Sequence, residues 1–231
     1  MGFVFVGFLL LTCASIASAA KSAAGAKFRQ NNGLAYIRNV LEPDQLAIVQ
    51  RRVQALKKGG KALKLEKGSY AQGRKGCQLS TNDPICEIFS STMVTDRIKR
   101  ATDRESSLIL PIELFPMELR DYMPGAYMAW HKDDMLFHEP QLELVFTVEN
   151  ESDSETMWLD SRGATHSVST EVNSMIIIEA DSVEHCVTPL KRGRRTILKG
   201  LVVESGQSEI LDVAFFEKAK ATFTTRTKEG R

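Results

Sequence analysis

The chain has 231 residues, 43% apolar and 26% charged, with a formal net charge of +1. That size and balance suit one globular domain with attachments and exclude a disordered or low-complexity chain. Near-neutral charge excludes an overall electrostatic grip on nucleic acid or an anionic membrane, and four cysteines are too few for a disulfide scaffold.

The first segment, MGFVFVGFLLLTCASIASAA, runs apolar to about Leu11 and then turns to small residues, with Ala17 and Ala19 spaced as a cleavage site requires. It predicts a signal peptide over residues 1–20. The alternative is an uncleaved signal anchor, because Phe3 to Ala20 is 18 largely apolar residues and just spans a bilayer. Either directs the domain into the secretory pathway, to the endoplasmic reticulum lumen or beyond; in an alga it is also the first part of a plastid address. Cys13 falls in this segment. Cys77 and Cys86 bracket a turn at Asn82-Asp83-Pro84 and fit either a short disulfide or two unrelated thiols. Cys186, in an apolar strand pattern, reads as a small core residue.

Residues 20–33 are small and polar, a flexible lead-in. A short strand is predicted at Leu34 to Ile37. A helix follows from Leu41-Glu42-Pro43-Asp44, with Leu46, Val49, Val53 and Leu56 at helical spacing and Lys57 to Gly60 ending it. The stretch from Lys61 to Thr81 is basic and weakly periodic and reads as a mobile loop. A second helix is predicted over 84–101, its stripe made by Ile85, Ile88, Phe89, Met93 and Ile98.

Beyond Arg104 the period becomes alternating. Strands are predicted at 113–122, 127–133, 142–149, 156–160, 164–169, 174–179, 183–188 and 195–204, separated by turn chemistry such as Pro124-Gly125 and Lys191 to Gly193. Helices first and then about eight short strands predict an α+β chain ending in a double-sheet jelly roll, a double-stranded β-helix, over about 113–204. Residues 205–231 form a tail with an apolar patch at Val213 to Phe216.

His131 and Asp133 are two residues apart, so on a strand both side chains leave the same face and can share one metal. His185 comes from a distant strand. Two nitrogens and one carboxylate make the facial triad of non-heme iron(II) oxygenases. Alone, His131-x-Asp133 is a common chance pattern. An independent feature strengthens it: Arg195 stands ten residues after His185, where a guanidinium can grip a carboxylate with two prongs.

The pattern Tyr122-x-x-Gly125, His131-x-Asp133, then His185, Pro189, Gly193 and Arg195 resembles the iron(II)- and 2-oxoglutarate-dependent dioxygenases, in their prolyl 4-hydroxylase-like branch. The resemblance runs from about Leu34 to Val203, giving one dioxygenase domain over 34–204. It implies Fe(II) held by His131, Asp133 and His185, and 2-oxoglutarate held at its distal carboxylate by Arg195 with help from Tyr122. It further implies O2 as oxidant, succinate and carbon dioxide as products, and ascorbate as a supporting reductant. The implied substrate is peptidyl, including prolyl, or a small molecule. The chain departs from prolyl 4-hydroxylases at Met128, where they usually have tyrosine, with Tyr127 displaced by one, and in lacking their usual segments between the ligands. Arg194 falls on the opposite strand face. Asp134 reads as a surface group, His138 and His166 as solvated loop residues, and Trp130 and Trp158 as core aromatics. Three other readings stay open: a catalytically silent jelly-roll binding module, a nucleic-acid demethylase of the same superfamily, and a zinc hydrolase that leaves Arg195 without a role.

Overall fold

In a computed structural model, the protein is described over residues 23–59, 63–66, 70–206 and 209–214. The segment predicted as a signal peptide and the tail beyond Ala214 lie outside the described residues. A helix over residues 23–30 (α1) leads into strand β1 (Leu34–Arg38) and helix α2 (Pro43–Lys58). Pro43, whose ring presets the helical φ and whose missing N–H was unpartnered anyway, starts α2, and the Gln45 side chain accepts from the Glu42 backbone N–H at 3.3 Å. Helices α3 (Pro84–Phe89) and α4 (Thr92–Thr102) replace the single helix predicted over 84–101. The break falls at Ser90-Ser91, where the Ser91 hydroxyl returns to the Ile88 carbonyl and competes with helix continuation. The Asp83 side chain caps α3 through the Ile85 N–H and pairs with Arg52 of α2, tying the helices together.

The remaining strands are β2 (Lys64–Leu65), β3 (Ala71–Gln78), β4 (Leu108–Ile109), β5 (Glu118–His131), β6 (Leu142–Asn150), β7 (Thr156–Leu159), β8 (Thr165–Val168), β9 (Ser174–Glu179), β10 (His185–Val187) and β11 (Arg195–Glu204). The predicted loop at 61–81 therefore contains β2 and β3. Its strand was hidden because the inward side chain of β3 at Arg74 meets an ionic rather than an apolar interior. The separate strands predicted at 113–122 and 127–133 are one long β5.

The strands form a curled antiparallel sheet in the order β1-β9-β6-β11-β5-β10-β7-β8, with β3 also pairing β5. The N-terminal half of β5 pairs β11 over 118–122, and its C-terminal end pairs β10 at Met128 and His131. This one strand therefore serves both sides of the jelly roll. It bends at Pro124-Gly125, where Gly125 takes φ 91°, a left-handed conformation that a side chain would strain.

Period-two alternation sorts the residues. Leu119, Leu144, Phe146, Met175, Ile177 and Leu198 face outward and pack under α2, α3 and α4 against Val49, Val53, Phe89 and Ile98. Smaller clusters separate from that core include Leu34, Trp158, Ile176, Ile178 and Val183, then Tyr122, Ala126, Val187, Leu190 and Ile197, and then Leu136, Phe137, Leu201 and Val203. Cys77 and Cys86 are free thiols, one on β3 and one buried in α3, so the bridge considered between them is absent; Cys186 is buried and free. Burial raises the pKa of all three. Among the described residues, no helix is long and apolar enough to cross a membrane.

Candidate metal centre

β5 ends on His131 and β10 begins on His185, and the two are register partners, which brings their rings to 4.2 Å between centroids. Asp133 follows just past the end of β5. Its Oδ1 lies 3.8 Å from His131 Nε2 and its Oδ2 3.6 Å from His185 Nε2. One ligand atom from each residue falls within 4.8 Å of the others, a spacing at which all three can reach one ion.

The rings are set for the task. His131 Nδ1 lies 2.8 Å from the Ala129 carbonyl and His185 Nδ1 3.2 Å from the Val183 carbonyl. A carbonyl only accepts, so each Nδ1 carries the proton and each Nε2 presents a lone pair. Burial, and then the adjacent His185 ring, lower the His131 pKa to about 4; burial lowers that of His185. Both imidazoles are neutral at neutral pH. Burial opposes ionisation of Asp133, but the Lys199 ammonium leads the influences that hold its carboxyl below the ordinary aspartate range. His131 Nε2 is buried and has no hydrogen-bond partner. A neutral nitrogen left bare in the interior, beside a second one and an ionised carboxylate, fits a divalent transition metal. Tyr70 stacks on the His131 ring at 5.4 Å.

One rung of the sheet carries a second feature. Arg195 on β11 stands opposite Tyr122 on β5, and Tyr122 opposite Arg74 on β3. Arg195 is 1% exposed. Its Nη2 donates to Thr156 Oγ1 at 2.9 Å, while its Nε and Nη1 are buried without partners. Burial pulls the guanidinium below its ordinary pKa, a sign that the charge is held against its preference. Arg194, the neighbouring cation, faces outward and pairs with Asp121, as its alternation predicts. Four residues past Arg195, Lys199 lies 3.5 Å from both Asp133 Oδ1 and Glu143 Oε2. Burial disfavours its charge, but these two carboxylates outweigh that and raise its pKa. Burial raises the pKa of Glu143.

The structure thus brings His131, Asp133 and His185 together, and Tyr122 to Arg195. Asp134 and His138 are exposed. His166 bonds Asp160 at 3.0 Å and stacks on Trp158 at 5.5 Å, so it is anchored rather than merely solvated. Trp158 is buried, and Trp130, expected in the core, is 40% exposed. Thr156, Arg74, Lys199 and Glu143 escaped the sequence reading. Only Lys199 carried a signal, being four residues from Arg195 and so on its strand face.

No protein-family model matches this sequence, and no curated protein matches it. Among solved structures, the chain is similar to a prolyl-4-hydroxylase from Pseudomonas putida, at TM-score 0.60 and 16% identity, over 80% of this chain and 99% of that one. It is also similar to the non-heme alpha ketoglutarate dependent epimerase SnoN from nogalamycin biosynthesis, at TM-score 0.70 and 12% identity, over 86% and 89% of the two chains. A third likeness is to a prolyl hydroxylase from Trichoplax adhaerens, at TM-score 0.61 and 12% identity, over 80% and 90%. The fold is that of the 2-oxoglutarate- and iron(II)-dependent oxygenases, prolyl 4-hydroxylases among them.

Proposed function

We propose that the chain is an iron(II)- and 2-oxoglutarate-dependent dioxygenase that hydroxylates a peptidyl or small-molecule substrate. The observation that carries this reading is Arg195, a fully buried guanidinium with two unpartnered nitrogens on a strand next to the one that bears His131. A buried unpaired cation is costly, and a bound carboxylate removes the cost. A zinc hydrolase leaves that cation unexplained.

His131, Asp133 and His185 would hold iron(II), the two histidines through Nε2. Arg195, Tyr122 and Thr156 would hold the distal carboxylate of 2-oxoglutarate. Val187, Leu190 and Ile197 give the clamp an apolar surround that keeps water from competing. Lys199 takes one oxygen of Asp133, which leaves the other for the metal and fixes the carboxylate plane. When bound, iron(II) and 2-oxoglutarate supply O2-dependent oxidation, with succinate and carbon dioxide as products.

Both substrate classes have support among the similar structures. The Trichoplax adhaerens enzyme is complexed with a peptide fragment of hypoxia inducible factor, and SnoN with nogalamycin RO. The reading further assigns residues 34–204 to one catalytic domain, residues 1–20 to secretory targeting, and ascorbate to sustaining turnover. Anaerobic addition of iron(II) and 2-oxoglutarate should produce the weak visible charge-transfer band of the chelate. Absence of the band, or an undiminished band in His185→Ala, refutes the metal assignment. Succinate release against proline-rich peptides and small molecules then separates the substrate classes.

A further inference from the structure

We propose that Arg74 is a positioning residue: it makes the Tyr122 hydroxyl an obligate donor, so that the clamp takes an ionised carboxylate and rejects the matching uncharged amide. The inference rests on the dioxygenase reading and concerns how the co-substrate end of that site is selected.

Arg74 is fixed on two sides. Its Nε and Nη2 donate to the Glu66 carboxylate, Nη2 at 2.9 Å from Oε1, and Glu66 is in turn held by Arg120 Nη1 at 2.8 Å. The remaining nitrogen, Nη1, donates to the Tyr122 hydroxyl oxygen at 2.5 Å and reaches Met128 Sδ at 3.3 Å. Arg74 and Tyr122 are register partners on β3 and β5, so the backbone itself sets their approach.

A guanidinium has five N–H donors and no acceptor. Once Arg74 occupies a lone pair of the phenol oxygen, the phenol proton must point elsewhere. On the other side of Tyr122 stands Arg195, its guanidinium carbon 5.9 Å from the ring centroid, and it also lacks any acceptor. Among the described residues, the Tyr122 hydroxyl donates to no protein acceptor. The same logic applies to Thr156, whose oxygen receives Arg195 Nη2 and whose proton is therefore free to be given. The clamp presents Tyr122 O–H, Thr156 O–H and the Arg195 Nε–H and Nη1–H, all of them donors. A carboxylate, with two acceptor oxygens and no proton, satisfies that set. A primary amide sets its NH2 against donors, and a buried donor left unpaired is what sites of this kind discriminate by. Without Arg74 the phenol could turn and accept from the amide.

The test is calorimetric titration of the manganese(II)-loaded protein with 2-oxoglutarate and with 2-oxoglutaramate, its distal amide. The wild-type chain should prefer the acid by about a hundredfold. Arg74→Met should weaken acid binding by about tenfold and shrink the acid-to-amide ratio by about the same factor. Tyr122→Phe, which leaves Arg74 and Glu66 in place, should shrink the ratio likewise, and adding Arg74→Met to it should shrink the ratio no further. Arg74→Lys, which keeps a donor, should restore part of the ratio. A ratio unmoved by both Arg74→Met and Tyr122→Phe, or a full Arg74→Met effect in the Tyr122→Phe background, overturns the proposal and leaves the dioxygenase reading standing. If Arg74→Met fails to fold, Tyr122→Phe still decides: an unchanged ratio overturns the proposal. Binding of neither compound by the wild-type chain overturns both.

Discussion

Replacing Arg195 with methionine should separate the stability of this fold from its capacity to take up a dicarboxylate. Arg195 is 1% exposed and gives one nitrogen to a protein partner, Thr156, while Nε and Nη1 have no protein partner. Each buried unpartnered polar group costs about 1–3 kcal/mol, more where charged. Methionine has nearly the same reach, carries no charge, and stands beside Tyr122, itself part of an apolar cluster with Val187, Leu190 and Ile197. Losing the charge-assisted Thr156 hydrogen bond removes about 1.5–3 kcal/mol of that gain. The ligand-free variant should therefore be more stable by about 1–2 kcal/mol, a rise in Tm of about 2–4 °C per kcal/mol at this chain length. Binding moves the other way. Two charge-assisted hydrogen bonds of about 1.5–3 kcal/mol each amount to a loss of about 10²–10⁴ in affinity for 2-oxoglutarate. Thermal unfolding of the manganese(II)-loaded protein reads both effects. At a hundred times its Kd, 2-oxoglutarate should stabilise the wild-type chain by about 2.7 kcal/mol and Arg195→Met by no more than about 0.4 kcal/mol. A ligand-free variant that melts well below wild type, or one that keeps the ligand-induced shift, refutes the reasoning.

Gly193→Ala should cost about 2–4 kcal/mol in urea unfolding, because Gly193 has φ 79° and an added Cβ would sit 2.0 Å from the Glu151 carbonyl oxygen; a loss under about 1 kcal/mol would show that this turn can rearrange. Asp121→Ala should destabilise by about 3 kcal/mol, since Asp121 is fully buried and receives Arg194 at 2.8 Å and Thr196 at 3.0 Å. Across the same outer face, burial disfavours the charge of Glu149, but the hydrogen bond and charge of Lys57 outweigh it and lower its pKa. Its stabilising contribution is then complete above the ordinary glutamate value of about 4.3 and lost as pH falls through the lower folded value. Acid unfolding of Lys57→Met should accordingly show a shallower pH dependence below about pH 5, and an unchanged profile would contradict the pairing. Finally, reducing agent should leave Tm unchanged, as Cys77 and Cys86 are both thiols; a fall in Tm would show a bridge between them.

The sequence was most legible where chemistry and period coincide. Apolar alternation marked β6, β9 and β11 because their outward faces pack under helices, and hydrophobic burial is what a period-two pattern records. The same alternation put Arg195 and Arg194 on opposite faces. It failed at residues 71–78, where the inward Arg74 meets Glu66, Arg120 and Tyr122. An interior stabilised by ion pairs leaves no apolar period to read. It failed again at the helix break, where a serine hydroxyl rather than a proline or glycine gives the stop.

The sequence alone determined which side chains are available for the chemistry: two histidines, one aspartate two residues from the first, and an arginine ten residues from the second. Those facts are local, fixed by spacing and strand parity. Only the tertiary structure decided that Arg195 lacks partners for two of its nitrogens, that Thr156 and Tyr122 meet it, and that Lys199 and Glu143 stand beside Asp133. These contacts join residues up to 73 positions apart, as between β5 and β11 at Tyr122 and Arg195. They exist because β5 pairs β11 over its N-terminal half and β10 at its C-terminal end, so that one curled sheet faces its inner side chains toward one another, and no spacing along the chain encodes where a curled sheet closes.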